Sequence, residues 1–221
     1  MVSGYIDYDK VTFGTPPLTI PRQAIGEATS VTNDFELTSC DGLFGLGFQN
    51  ISLMHETPPF FNLVQENALV RPIFSIWLNP NQESVIGGEL IFGGINSMYY
   101  TGPLATIPLS RPGYWQVPMN GVRVGGSAVA VQGTQAILDS GTSALVVSEN
   151  DARAINSMDD ADLNCGSSVL GLSNIPATAP MILGSPFLRA WFSVYNYSPE
   201  GSSVSLAASA SLTNGSRRHF L

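Results

Sequence analysis

Positive charge is scarce in these 221 residues: nine Lys and Arg stand against seventeen Asp and Glu, a formal net charge of −8. Nucleic-acid binding needs clustered cations that displace counterions from phosphate. The one basic cluster, Arg217-Arg218-His219, is short and falls in a polar tail, so a nucleic-acid partner is not expected. The two cysteines, Cys40 and Cys165, make neither a disulfide framework nor a metal motif. Two histidines far apart, His55 and His219, argue against zinc, so neither metal nor cofactor is expected. No apolar run approaches the roughly 18 residues that span a membrane. The first residues, Met1-Val2-Ser3-Gly4-Tyr5, have neither the basic start nor the apolar core of a signal peptide.

What is plentiful points elsewhere. Hydrophobic residues make up 44% of the chain, enough for a packed core, while charged residues make up only 12%, with 22 Gly and 15 Pro. That balance predicts many short strands joined by turns, in one large all-β domain or two small ones. Three glycosylation sequons, Asn50-Ile51-Ser52, Asn196-Tyr197-Ser198 and Asn214-Gly215-Ser216, lean towards a secretory history.

The chain is organised around Ala136-Ile137-Leu138-Asp139-Ser140-Gly141-Thr142-Ser143-Ala144-Leu145-Val146-Val147. Asp-Ser-Gly alone reads as an ordinary turn. Apolar runs on both sides change that reading, because they predict buried strands and place a carboxylate where burial excludes unpaired charge. Hydroxyls of Ser140, Thr142 and Ser143 and the amides around Gly141 are the candidates to bond it. Gly141 also permits a tight turn and close approach to a ligand.

In chain order, residues 1–32 read as a β-meander with a turn at Gly14-Thr15-Pro16-Pro17. Asp41-Gly42-Leu43-Phe44-Gly45-Leu46-Gly47-Phe48 reads as a glycine-rich apolar strand packed closely on another backbone. Residues 57–67 read as a helix, with Thr57 as cap and Pro58 at its first position. Strands are expected at 73–78, 87–94, 122–124, 129–131 and 204–207. Ser148 should cap a helix, with Asp151 completing a capping box. Tyr114 and Trp115 are either core aromatics or cleft residues.

The Asp139 turn resembles the catalytic turn of pepsin-like aspartic proteases, a hydrophobic pair followed by Asp, Thr or Ser, Gly, and Thr or Ser. Residues 4–11 resemble the segment that follows the family's flap. Residues 41–47 resemble its Asp-Gly-x-x-Gly-Leu-Gly support, which threads behind the catalytic turn. Gly113-Tyr114-Trp115-Gln116 resembles a segment beside the substrate cleft. Ile182-Leu183-Gly184-Ser185-Pro186-Phe187-Leu188-Arg189 resembles the second lobe's supporting segment. The resemblance implies an all-β, pepsin-like acid protease fold. Its bilobal form would be incomplete: residues 1–95 as a partial N-terminal lobe and 96–207 as a shortened C-terminal lobe. An internal deletion is expected near 166–180, and a disordered tail over 208–221.

The implied function is aspartic endopeptidase, with Asp139 as catalytic carboxylate and Ser140, Gly141, Thr142, Ser143 and Tyr114 contacting a peptide or protein substrate. It also implies a secreted or endolysosomal location. The family uses two aspartates, one per lobe, and the sequence carries one Asp-Ser-Gly turn; the other turn and the flap belong upstream of Met1. Three readings follow: a fragment inactive by itself, a protease formed when two chains pair their Asp139 residues, or a non-catalytic secreted peptide-binding glycoprotein. Cys165 resembles half of a local pair in the second lobe whose partner falls in the deletion, so Cys40 and Cys165 are not expected to bond to each other.

Overall fold

The computed structural model describes residues 2–31, 41–157 and 168–211. Cys40, Cys165, Asn214 and the basic cluster at 217–219 lie outside those residues, and with them the expected cysteine states. The chain divides into two compact units, Met1–Val70 and Arg71–Leu221. Strands dominate both, as an all-β fold requires.

In the first unit, β1 (Ser3–Phe13) and β2 (Leu18–Ser30) form one long antiparallel hairpin around the expected turn, where a meander was read. Its far end is a two-stranded ribbon on which Tyr5, Ile6, Tyr8 and Ile25 are exposed. Its near end is anchored. Ile20 and Ala24 are buried, and helix α1 (Pro59–Gln65) packs on β2 with Phe60, Phe61 and Leu63 inward. Thr57 does not cap this helix; Pro58 occupies that position without a side-chain bond. The Thr57 carbonyl instead accepts from Gln23 Nε2 at 3.1 Å and Asn62 Nδ2 at 3.3 Å.

Residues 41–48 are not a strand. Leu43 and Phe44 are exposed, and Cβ atoms added at Gly42 and Gly45 would meet open space. Small residues allow close backbone packing but cannot cause it; the run joins none of the described sheets and meets β1 through a side chain, Phe44 standing edge-on to Phe13 at 5.1 Å between ring centroids.

The second unit holds two five-stranded sheets. One has the order β4-β3-β13-β14-β5, from β3 (Ile73–Leu78), β4 (Gly88–Phe92), β5 (Tyr100–Pro108), β13 (Trp191–Asn196) and β14 (Ser203–Ser209), all pairs antiparallel. β3 and β4 thus pair into a sheet with the chain's last strands. β14 runs two residues past its expected end, because Ala208 and Ser209 pair with β5. One face packs Ile73, Trp77, Phe192 and Val194 against Tyr99, Tyr100 and Leu104. On Phe74, Tyr195 stacks with ring centroids 4.5 Å apart, and Trp115 meets both rings edge-on.

Trp115 leads into β6 (Gln116–Pro118), an edge of the other sheet. After the small hairpin of β7 (Val122–Val124) and β8 (Ser127–Val129) come β9 (Gln135–Leu138), β10 (Leu145–Ser148), β11 (Val169–Leu172) and β12 (Met181–Leu183). The sheet order is β11-β10-β12-β9-β6. β8 lies two residues earlier than expected, and β11, unforeseen, falls inside the polar stretch after Asn156 and pairs parallel to β10. Helix α2 (Glu149–Asn156) follows β10, and helix α3 (Ser185–Ala190) follows β12.

Candidate active site

β12 is the key to the site. It lies between β9 and β10, parallel to the first and antiparallel to the second, so residues 139–144 must pass over its end to join them. The Asp139 amide extends the β9–β12 ladder by donating to the Leu183 carbonyl at 3.2 Å. Beyond Leu183 the chain slips beneath the turn at Gly184. A Cβ there would stand 2.2 Å from the Thr142 carbonyl oxygen and 2.3 Å from that of Ala144, so only glycine fits. The Ser185 amide then donates to the Thr142 carbonyl at 2.8 Å.

Both oxygens of the half-buried Asp139 carboxylate are bonded. Oδ1 accepts the Gly141 amide at 2.9 Å, and Oδ2 accepts the Thr142 hydroxyl at 2.6 Å. Of the donors expected from sequence, Gly141 and Thr142 therefore serve. Ser140 and Ser143 are exposed, and the Ser143 carbonyl accepts from the Ser185 hydroxyl at 3.4 Å. A carboxylate fixed by two donors at a strand end cannot rotate freely. As an acceptor it can also take a hydrogen bond from a water.

The Leu138 amide, one residue before the acid, donates to the Trp115 carbonyl at 3.1 Å. Of the two neighbouring aromatics, Trp115 is buried in the core, whereas Tyr114 is 50% exposed on the loop that leads into β6. Tyr195 lies within electrostatic range of Asp139. Burial pushes its phenol well above the usual tyrosine range, opposed by a hydrogen bond with Ser193 and assisted by the Asp139 charge.

The sequence marks Gly184 only as part of a supporting segment, and the structure sets it against the Thr142 and Ala144 carbonyls. Asp151 was assigned to a capping box, and half of that holds: the Ser148 hydroxyl accepts the Asp151 amide at 3.2 Å. Its carboxylate, 2% exposed, does not return to Ser148. It accepts the Gln132 amide at 2.8 Å and the Gly133 amide at 3.2 Å, tying α2 to the chain entering β9. The tertiary contact offers two donors, where the box offers one.

Among the described residues, no helix is long and apolar enough to cross a membrane, and no three His, Cys, Asp or Glu side chains gather to hold a metal ion. The chain is similar to aspartic proteinase A2 of Arabidopsis thaliana, 39% identical over 147 residues, covering 65% of this chain and 28% of that protein. It is 37% identical over 158 residues to napsin-A of Mus musculus, covering 70% and 37%. It is 29% identical over 238 residues to a probable vacuolar protease A of Arthroderma benhamiae, covering 88% and 59%. The chain thus spans between about a quarter and three fifths of the length of these relatives. The family profile of eukaryotic aspartyl proteases matches residues 1–168, a stretch that includes the whole Asp139 turn, and the chain belongs to that family.

Proposed function

We propose that Asp139 is one of the two carboxylates of an aspartic endopeptidase site. The observation that carries this reading is the carboxylate itself: half-buried, held by one amide and one hydroxyl, at a strand end locked by Gly184. In such a dyad two acids lie too close to ionise together, so one keeps a proton while the other activates water. The titration belongs to the pair. Water attacks the peptide carbonyl as one acid takes its proton and the other protonates the carbonyl oxygen. Ser140, Gly141 and Ser143, exposed on the turn, and Tyr114, exposed beside it, are assigned to an extended peptide substrate, with Thr142 holding the acid.

Residues 1–95 are assigned to the first lobe and 96–207 to the second, shortened near 166–180. The relatives' names favour passage through a secretory or vacuolar route. The 221 residues supply one acid of the dyad, and each acid–base group is worth about 10²–10⁴-fold. The chain alone should therefore show no turnover of a quenched peptide substrate in acid. Asp139→Asn is the comparison. Cleavage by the parent that is first order in protein and unchanged by Asp139→Asn would sink the assignment. Cleavage lost in Asp139→Asn and second order in protein would make paired chains the working form.

A further inference from the structure

Two of the three sequons fall on described residues, and the fold treats them differently. Asn50 sits in a single 3-10 turn, Gln49–Ile51, outside every strand ladder, with its side chain exposed. The residues just after it are unusually apolar for a surface: Leu53 is 97% exposed and Met54 is exposed beside it. Asn196 is instead the last residue of β13, paired with Ile73 on one side and Ser203 on the other. It is half-buried and lines a concave patch of the sheet with Ile73, Leu104 and Val194. The Ser198 hydroxyl accepts the Glu200 amide at 3.2 Å, and the Tyr197 amide donates to the Pro72 carbonyl at 2.9 Å, which ties the sequon's backbone to the sheet.

We propose that Asn50, and not Asn196, carries an N-linked oligosaccharide, an inference that rests on the secretory passage proposed above. The donor is a lipid-diphosphate-linked oligosaccharide. The Asn50 amide nitrogen attacks the anomeric carbon, the bond from that carbon to the diphosphate oxygen breaks, the lipid diphosphate leaves with its electron pair, and the amide loses one proton. Transfer requires an accessible amide in an unpaired chain with a free hydroxyl two residues on. Asn196 faces Ser203 only seven residues later across a hairpin. Hairpins close in about 1–10 μs, whereas synthesis adds roughly 5–20 residues per second. The Asn196 sequon can thus pair almost as soon as its partner emerges, while among the described residues no strand pairs with Asn50. A glycan at Asn50 would also cover Leu53 and Met54.

The test is the full 221-residue chain behind a cleavable secretory leader in eukaryotic cells, read as the gel shift released by an endoglycosidase for N-linked glycans. Asn50→Gln and Ser52→Ala should each lose one shift, and Asn196→Gln should lose none, with Asn214→Gln accounting for any second shift. A shift unchanged in Asn50→Gln, or one lost in Asn196→Gln, overturns the assignment. The leader separates the two claims. Asn50 modified with the leader, but bare on the chain taken from its own cells, would refute the native secretory route and leave the site standing.

Discussion

Gly184→Ala is the sharpest perturbation of the candidate site, because the added carbon meets backbone on both sides. It would stand 2.2 Å from the Thr142 oxygen and 2.3 Å from the Ala144 oxygen. Reaching ordinary contact requires each carbonyl to retreat by about 1 Å. A retreat of that size takes the Ser185–Thr142 hydrogen bond, now 2.8 Å, beyond bonding range. Overpacking of this kind costs about 1–3 kcal/mol and a lost neutral hydrogen bond about 1 kcal/mol, so we expect a loss of roughly 2–4 kcal/mol. No left-handed backbone contributes, since φ at Gly184 is −83°.

Urea unfolding followed by tryptophan fluorescence measures this well, because Trp77, Trp115 and Trp191 all belong to the second compact unit. With a slope near 2 kcal/mol per molar, the midpoint should fall by about 1–2 M. Gly87→Ala is the control, since its Cβ meets nothing within 4 Å; it should stay within about 0.5 kcal/mol of the parent. A Gly184→Ala midpoint equal to the parent's, or a Gly87→Ala cost as large, would refute the locked-turn account.

Asp151→Ala should destabilise by about 3 kcal/mol, because it strands the Gln132 and Gly133 amides that now bond a buried carboxylate. Hydrogen exchange at those two amides should quicken; unchanged exchange with a cost under about 1 kcal/mol would contradict the tie. Tyr195→Phe probes the raised phenol. The unfolded phenol loses its proton near pH 10 while the folded one keeps it, so the parent's stability is full below about pH 10 and is lost as pH rises from there. Urea midpoints at pH 9 and 11 should therefore fall less in Tyr195→Phe than in the parent; equal falls would show that Tyr195 does not carry the effect.

Much of the site was readable in one dimension because its physics is local. Apolar runs flanking an acid and a glycine predict strand, turn, strand, and the bonds from Gly141 and Thr142 to Asp139 span only two and three residues. The same locality made β3, α1 and the Ser148 cap legible, to within a residue or two. What the tertiary structure decided is every feature in which distant segments compete for one partner. Asp151 forsakes its own helix end for amides 18 and 19 residues away. Residues 41–48, with the glycine spacing of a packed strand, join none of the described sheets: Leu43 and Phe44 are exposed, while Phe48 is buried against Phe61. Gly184 is one glycine among 22 until β12 is inserted between β9 and β10, and only then does the absence of a side chain hold the Asp139 turn in place.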